Sequence, residues 1–133
     1  MLRASCFALA ALLSFSTAFS DPVFAASRAM HILDKDMDGT LDLSEANAAA
    51  SALFDQLDRD KDGTLTAREL HGRLNLHEFK KADRDNDGTL SKDEYLAIVA
   101  LLFKRADHDG DGTLDEHELR GSAGRKLQKL LRR

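Results

Sequence analysis

Tryptophan is absent from this chain of 133 residues, which has one tyrosine, one proline and one cysteine. A lone cysteine excludes an intrachain disulfide, so nothing covalent staples the fold. With aromatics at 6% of residues, any core must be small and mainly aliphatic. One proline, Pro22, leaves the rest of the chain free of the strongest helix breaker. The histidines, His31, His71, His77, His108 and His117, show no HExxH or other ligand spacing and read as solvated surface residues. No nucleophile–base pair, phosphate loop or pair of catalytic carboxylates stands out, so the sequence reads as a non-enzyme. The net charge of -4 gives nucleic acid no reason to bind.

Only one long apolar run occurs, at the start. Arg3 supplies a minimal positive end, and Cys6 to Phe19 is broken only by Ser14, Ser16 and Thr17. This reads as a signal peptide over residues 1–25, cut after Ala25 in Val23-Phe24-Ala25, with Ala18-Phe19-Ser20 as a second candidate. The run is short of the ~20 apolar residues a membrane-spanning helix needs. The remaining domain, 26–133, then has no cysteine and no integral membrane span, and a periplasmic or secreted location follows. Its net charge stays at -4, because the leader holds one basic residue, Arg3, and one acidic residue, Asp21.

What the chain does have is acid in a pattern. Of its 23 Asp and Glu residues, 20 lie in four segments of one design: Asp34 to Glu45, Asp58 to Glu69, Asp83 to Glu94 and Asp107 to Glu118. Each fits D-x-D-x-D-G followed by five residues and Glu, the pattern of an EF-hand loop. The carboxylates at positions 1, 3 and 5 are Asp34, Asp36 and Asp38 in loop 1, and Asp58, Asp60 and Asp62 in loop 2. Loop 3 has Asp83, Asp85 and Asp87, and loop 4 has Asp107, Asp109 and Asp111. Position 7 ligates through its backbone carbonyl and is Thr40, Thr64, Thr89 or Thr113. Position 9 is Asp42 or Asp115 in loops 1 and 4, but Thr66 or Ser91 in loops 2 and 3. Glu45, Glu69, Glu94 and Glu118 at position 12 close the shell with two oxygens. An all-oxygen set of seven or so ligands suits a hard cation of calcium's size. Up to four ions follow, and folding should be coupled to them, since like charges this dense repel in the metal-free state.

The loops are crowded along the chain. Their first aspartates fall at 34, 58, 83 and 107, leaving no room for two helices between successive loops. Leu43, Ala46, Ala50, Leu53, Phe54 and Leu57 keep helical periodicity, which predicts one helix shared by loops 1 and 2. Tyr95 to Phe103 predicts a second shared helix. Between loops 2 and 3, Gly72 is expected to end a short helix, and Asn75 with Glu78 to open another through a capping box. A reversal there places loop 2 beside loop 3 and loop 1 beside loop 4, joined through the leucines at position 8. Flanking helices over Ala26 to Leu33 and Leu119 to Leu131 complete an all-α bundle. The last carries Arg120, Arg125, Lys126, Lys129, Arg132 and Arg133 around Leu127, Leu130 and Leu131. It reads as an amphipathic helix packed on the bundle, with an anionic membrane or acidic partner as the alternative.

Four such loops at this spacing behind a leader, with the stretches DKDGTL, KDEYLA and DNDGTL, resemble lanmodulin, an exported family of lanthanide-binding proteins. The likeness runs from about Leu33 to Arg133. It implies a small helical bundle that orders on binding rare-earth ions, with the acidic loop positions as ligands. The chain departs from that family at position 2, where Lys35, Arg59, Arg84 and His108 stand in place of proline. Two roles fit: a binder or carrier of calcium or trivalent lanthanide, and a calcium-dependent sensor that engages a partner protein. Sensors use methionine-rich grooves, and the domain has only Met30 and Met37, which favours the binder.

Overall fold

Helix formation in this chain is dictated largely by the loops themselves. In the computed structural model, which describes residues 22–132, each exiting helix begins where a loop's position 9 caps it. The order is α1 (Pro22–Leu33), β1 (Leu41–Asp42), α2 (Leu43–Leu57), β2 (Thr64–Leu65), α3 (Leu76–Ala82) and β3 (Leu90–Ser91). Then follow α4 (Lys92–Ala106), β4 (Thr113–Leu114), α5 (Glu116–Arg120) and α6 (Ser122–Leu131). Cys6 and residues 1–21 of the expected leader lie outside the described residues. The last four leader positions fall in α1.

The shared helices are present. Asp42 and Glu45 form a reciprocal capping box at the start of α2, and Ser91 with Glu94 does the same for α4. Each box satisfies two backbone donors that a helix start otherwise leaves orphaned. Both helices are 15 residues long and end at the first aspartate of the next loop. There the N–H of Asp58 donates to Phe54 O and that of Asp107 to Phe103 O, both at 2.9 Å. A 15-residue helix spans ~20 Å, so the loops at its two ends are held apart.

Chain reversal comes from a turn, and this corrects the expected short helix before Gly72. Residues 67–72 form turns rather than a helix. His71 and Gly72 both take left-handed φ, 47° and 73°, and the N–H of Arg73 closes onto Leu70 O at 2.9 Å. Two consecutive left-handed residues cannot continue an α-helix. The chain then enters α3 through the capping box of Asn75 and Glu78.

The strand pairs are antiparallel: β1 with β4, setting Leu41 opposite Leu114, and β2 with β3, setting Leu65 opposite Leu90. All four leucines are fully buried. The protein is thus mostly helical with two minimal sheets, rather than purely helical. Between the sheets α2 packs on α4, and α6 lies against α4 as well. Phe54 and Tyr95 meet with ring centroids 5.8 Å apart, and the Tyr95 hydroxyl donates to Leu130 O at 2.7 Å. Burial pushes that phenol up to about 12.

A second correction concerns the C-terminal segment. Leu119 to Leu131 is not one helix: α5 stops at Arg120, and α6 starts after Gly121. The corner is tight. A Cβ at Gly124 would sit 2.6 Å from Leu119 Cα, so only glycine admits the approach. Gln128 bolts the corner, its amide donating to Leu119 O at 2.8 Å. The buried face of α6 is Leu127, Leu130 and Leu131, which leaves its cations toward solvent.

Candidate metal centres

The four loops repeat one hydrogen-bond scheme. At position 1 the aspartate accepts from the N–H of the position-6 glycine, at 2.9 Å for Asp34, 3.0 Å for Asp58, 3.1 Å for Asp83 and 3.2 Å for Asp107. Those glycines, Gly39, Gly63, Gly88 and Gly112, have φ between 84° and 88°, which a side chain would resist. The position-12 glutamate is fixed through both oxygens. One accepts the position-2 N–H, at 2.7 Å for Glu45 and 2.8 Å for Glu94 and Glu118. In loop 2 the N–H of Arg59 reaches Glu69 at 3.2 Å. The other oxygen accepts the position-9 N–H in every loop.

This scheme gathers positions 1, 3 and 12. Asp34, Asp36 and Glu45 present oxygens within 4.8 Å of one another, as do Asp58, Asp60 and Glu69. The same holds for Asp83, Asp85 and Glu94, and for Asp107, Asp109 and Glu118. Three carboxylate oxygens converging on one point fit a hard cation that prefers oxygen. The remaining expected ligands flank these clusters. Asp38, Asp62, Asp87 and Asp111 at position 5 accept from the N–H and hydroxyl of Thr40, Thr64, Thr89 and Thr113, at 2.7 to 2.8 Å. At position 9, Asp42 and Asp115 accept the N–H of Glu45 and Glu118 as helix caps.

Thr66 and Ser91 differ. Their hydroxyls donate to the glutamate they precede, at 2.8 Å for Glu69 and 2.9 Å for Glu94. The N–H and hydroxyl of Thr66 hold Glu69 below its ordinary carboxylate range. The N–H groups of Arg84 and Ser91 do the same for Glu94.

Position 3 is the least supported acid. Its partner is the position-5 N–H, at 3.3 Å for Asp36, 3.4 Å for Asp60 and 3.2 Å for Asp85. Partial loss of water raises Asp36 and Asp60, and the charges of neighbouring carboxylates add to it. For Asp85 the N–H of Asp87 pulls downward, but lost water and the charges of Asp87 and Glu94 leave it raised. Asp38 is lowered by its threonine partner. Asp36, Asp60 and Asp85 are therefore the carboxylates whose repulsion a cation would relieve most.

Position 4 escaped the sequence reading. Met37, Lys61, Asn86 and Gly110 all take left-handed φ, from 59° to 76°. The available signals were Asn86 and Gly110, the two residue types that tolerate this region best.

An EF hand family model matches residues 51–72, 76–100 and 98–121, just over half of the chain. The chain belongs to the EF-hand family. The matched stretches hold loops 2, 3 and 4, and loop 1 reproduces their geometry with its own cluster. No curated protein matches the chain. The EF-hand loops thus supply up to four acidic sites suited to calcium. No helix among the described residues is long and apolar enough to cross a membrane.

Proposed function

We propose that this EF-hand protein is a lanmodulin-like exported binder and carrier of calcium or trivalent lanthanide ions, which takes up as many as four and compacts as it does. The observation that carries the reading is the fourfold convergence of positions 1, 3 and 12, with ligand atoms within 4.8 Å of one another in every loop. In each site positions 5, 7 and 9 complete the shell. For loop 1 these are Asp38, Thr40 and Asp42, and for loop 4 Asp111, Thr113 and Asp115. Loops 1/4 and 2/3 work as pairs, a role supported by the β1–β4 and β2–β3 ladders. The protein acts in the periplasm or outside the cell after losing residues 1–25, and it catalyses no reaction.

A trivalent ion of calcium's size gains most where carboxylates are densest. With five acids, loop 1 keeps a formal charge of -3 around a divalent ion and -2 around a trivalent one; loop 2, with four, goes from -2 to -1. Loops 1 and 4 are the more lanthanide-selective. Titration of the metal-free protein with calcium and with lanthanum, followed by far-ultraviolet circular dichroism and calorimetry, tests the whole reading. Helix should rise with either ion, and with lanthanum at far lower concentration. Full helix in chelator, with no heat from either ion, would reject it.

A further inference from the structure

Beside loop 3, a cleft of about 500 Å³ opens between α3, α4 and α6 at the turn at Gly72. Its walls carry six cations: Arg73, Lys81, Arg84, Arg105, Lys126 and Lys129. Its two carboxylates are both engaged. Glu78 pairs with Lys126, and Glu94 belongs to the loop 3 cluster. The other five cations enter no ion pair among the described residues. Buried Arg73 Nε has no hydrogen-bond partner, although Arg73 Nη2 donates to Arg132 O at 3.0 Å. A smaller hollow of about 270 Å³, lined by His71, Arg73, Lys129 and Arg132, continues the basic surface.

The lining is apolar as well as basic. Ala97, Ile98, Leu101 and Leu102 of α4 contribute to it, with Leu74 from the turn. Leu101 keeps 51% of its surface exposed beside the half-buried Ala97 and Ile98. In a chain of net charge -4, a concave apolar surface ringed by unpaired cations is a local inversion of the molecule's electrostatics.

We infer that this cleft binds a small amphiphilic organic anion, its acid group held among Arg73, Lys81 and Arg105 and its apolar body on Ile98 and Leu101. The volume falls in the range of small-molecule sites, roughly 300–1,000 Å³. Its walls come from four separate segments, with Leu102 buried and Leu101 exposed at its edge. A flat anionic membrane reaches such a cleft poorly, whereas a small molecule enters it. Guanidinium and ammonium groups without carboxylate partners complement an acid headgroup directly.

The test uses naphthalene-2-sulfonate, an aromatic anion that does not sequester calcium, against its uncharged sulfonamide. Both are titrated into the full domain with and without calcium, and binding is read from methyl shifts of Ile98 and Leu101. The sulfonate should bind saturably at one site, at least roughly tenfold more tightly than the sulfonamide. Lys81→Ala with Arg105→Ala should abolish that difference and leave sulfonamide affinity, helix content and calcium uptake unchanged. Leu101→Gln, at an exposed position, should weaken both compounds equally. Equal affinity for the two compounds, shifts confined to other methyls, or no saturation would overturn the assignment. So would sedimentation with phosphatidylglycerol vesicles that naphthalene-2-sulfonate does not compete away. Glu94 is the one residue the cleft shares with an ion cluster, so calcium calorimetry without either compound reports on the metal reading separately, and failure here leaves that reading standing.

Discussion

Single residues in these loops divide into those that gain from the fold and those that are strained by it. Met37, 82% exposed with φ 60°, gains nothing visible from its side chain while holding a left-handed backbone. That conformation costs a non-glycine residue roughly 1–2 kcal/mol, part of which glycine gives back through its freer unfolded chain. Met37→Gly should therefore stabilise the protein by up to about 1 kcal/mol in urea unfolding, and an equal loss would show that the methionine packs in a way its exposure conceals. The acids divide similarly. Asp36, Asp60 and Asp85 are raised and Asp38 is lowered, so carbon-detected NMR of the metal-free protein should find these three aspartates protonating at higher pH than Asp38. The sign for stability follows. A raised group favours the folded metal-free state below its unfolded value, and that contribution disappears as pH climbs through the folded value. Neutral pH is thus where these three carboxylates oppose the metal-free fold most. Titration of Asp38 above Asp36 would contradict this account.

Helices and turns were legible wherever a local signal fixed them. The D/S-x-x-E pattern that closes a loop is also a capping box, so α2, α4 and α5 could be placed from residues such as Asp42 and Glu45 alone. Loop 2 shows the limit of that rule. Thr66 and Glu69 make the same box, yet His71 and Gly72 turn the chain before a helix can grow. The break at Gly121 was hidden because apolar periodicity runs on through it, and only the contact of Gly124 with Leu119 creates it. The cleft was hidden for a related reason: its lining is drawn from Gly72 through Lys129, which no window of sequence brings together. Gly124→Ala should force the α5–α6 corner apart and cost about 1–3 kcal/mol, the usual penalty of overpacking. A melting temperature unchanged by that substitution would mean the corner relaxes freely. Position 9 acts at the same scale. Asp42→Ser and Asp115→Ser should narrow the gap between lanthanum and calcium affinities, and Thr66→Asp and Ser91→Asp should widen it. Calorimetry of each variant decides, and parallel shifts in both ions would exclude charge density as the cause.

Across the whole molecule, each long helix rigidly spaces two loops while each ladder joins loops from different helices. Sites coupled through one ladder should therefore respond together. Glu118→Gln should weaken ion uptake at loop 1 more than at loop 2, read from the Gly39 and Gly63 amide signals during titration. Glu94→Gln should reverse that order. Equal effects at both glycines would mean that coupling passes through α2 instead of through the ladders.

The partner of β1 is β4, so Leu41 and Leu114 pair across 73 residues of chain, whereas Leu65 and Leu90 pair across 25. Loop-closure entropy grows with the logarithm of that length, so joining β1 to β4 costs roughly 1 kcal/mol more than joining β2 to β3. The β2–β3 ladder is thus the easier one to close, and the ends of the domain close around it. A chain that lacked β4 would leave the buried edge of Leu41 uncovered, a product fit for proteolysis and not for service.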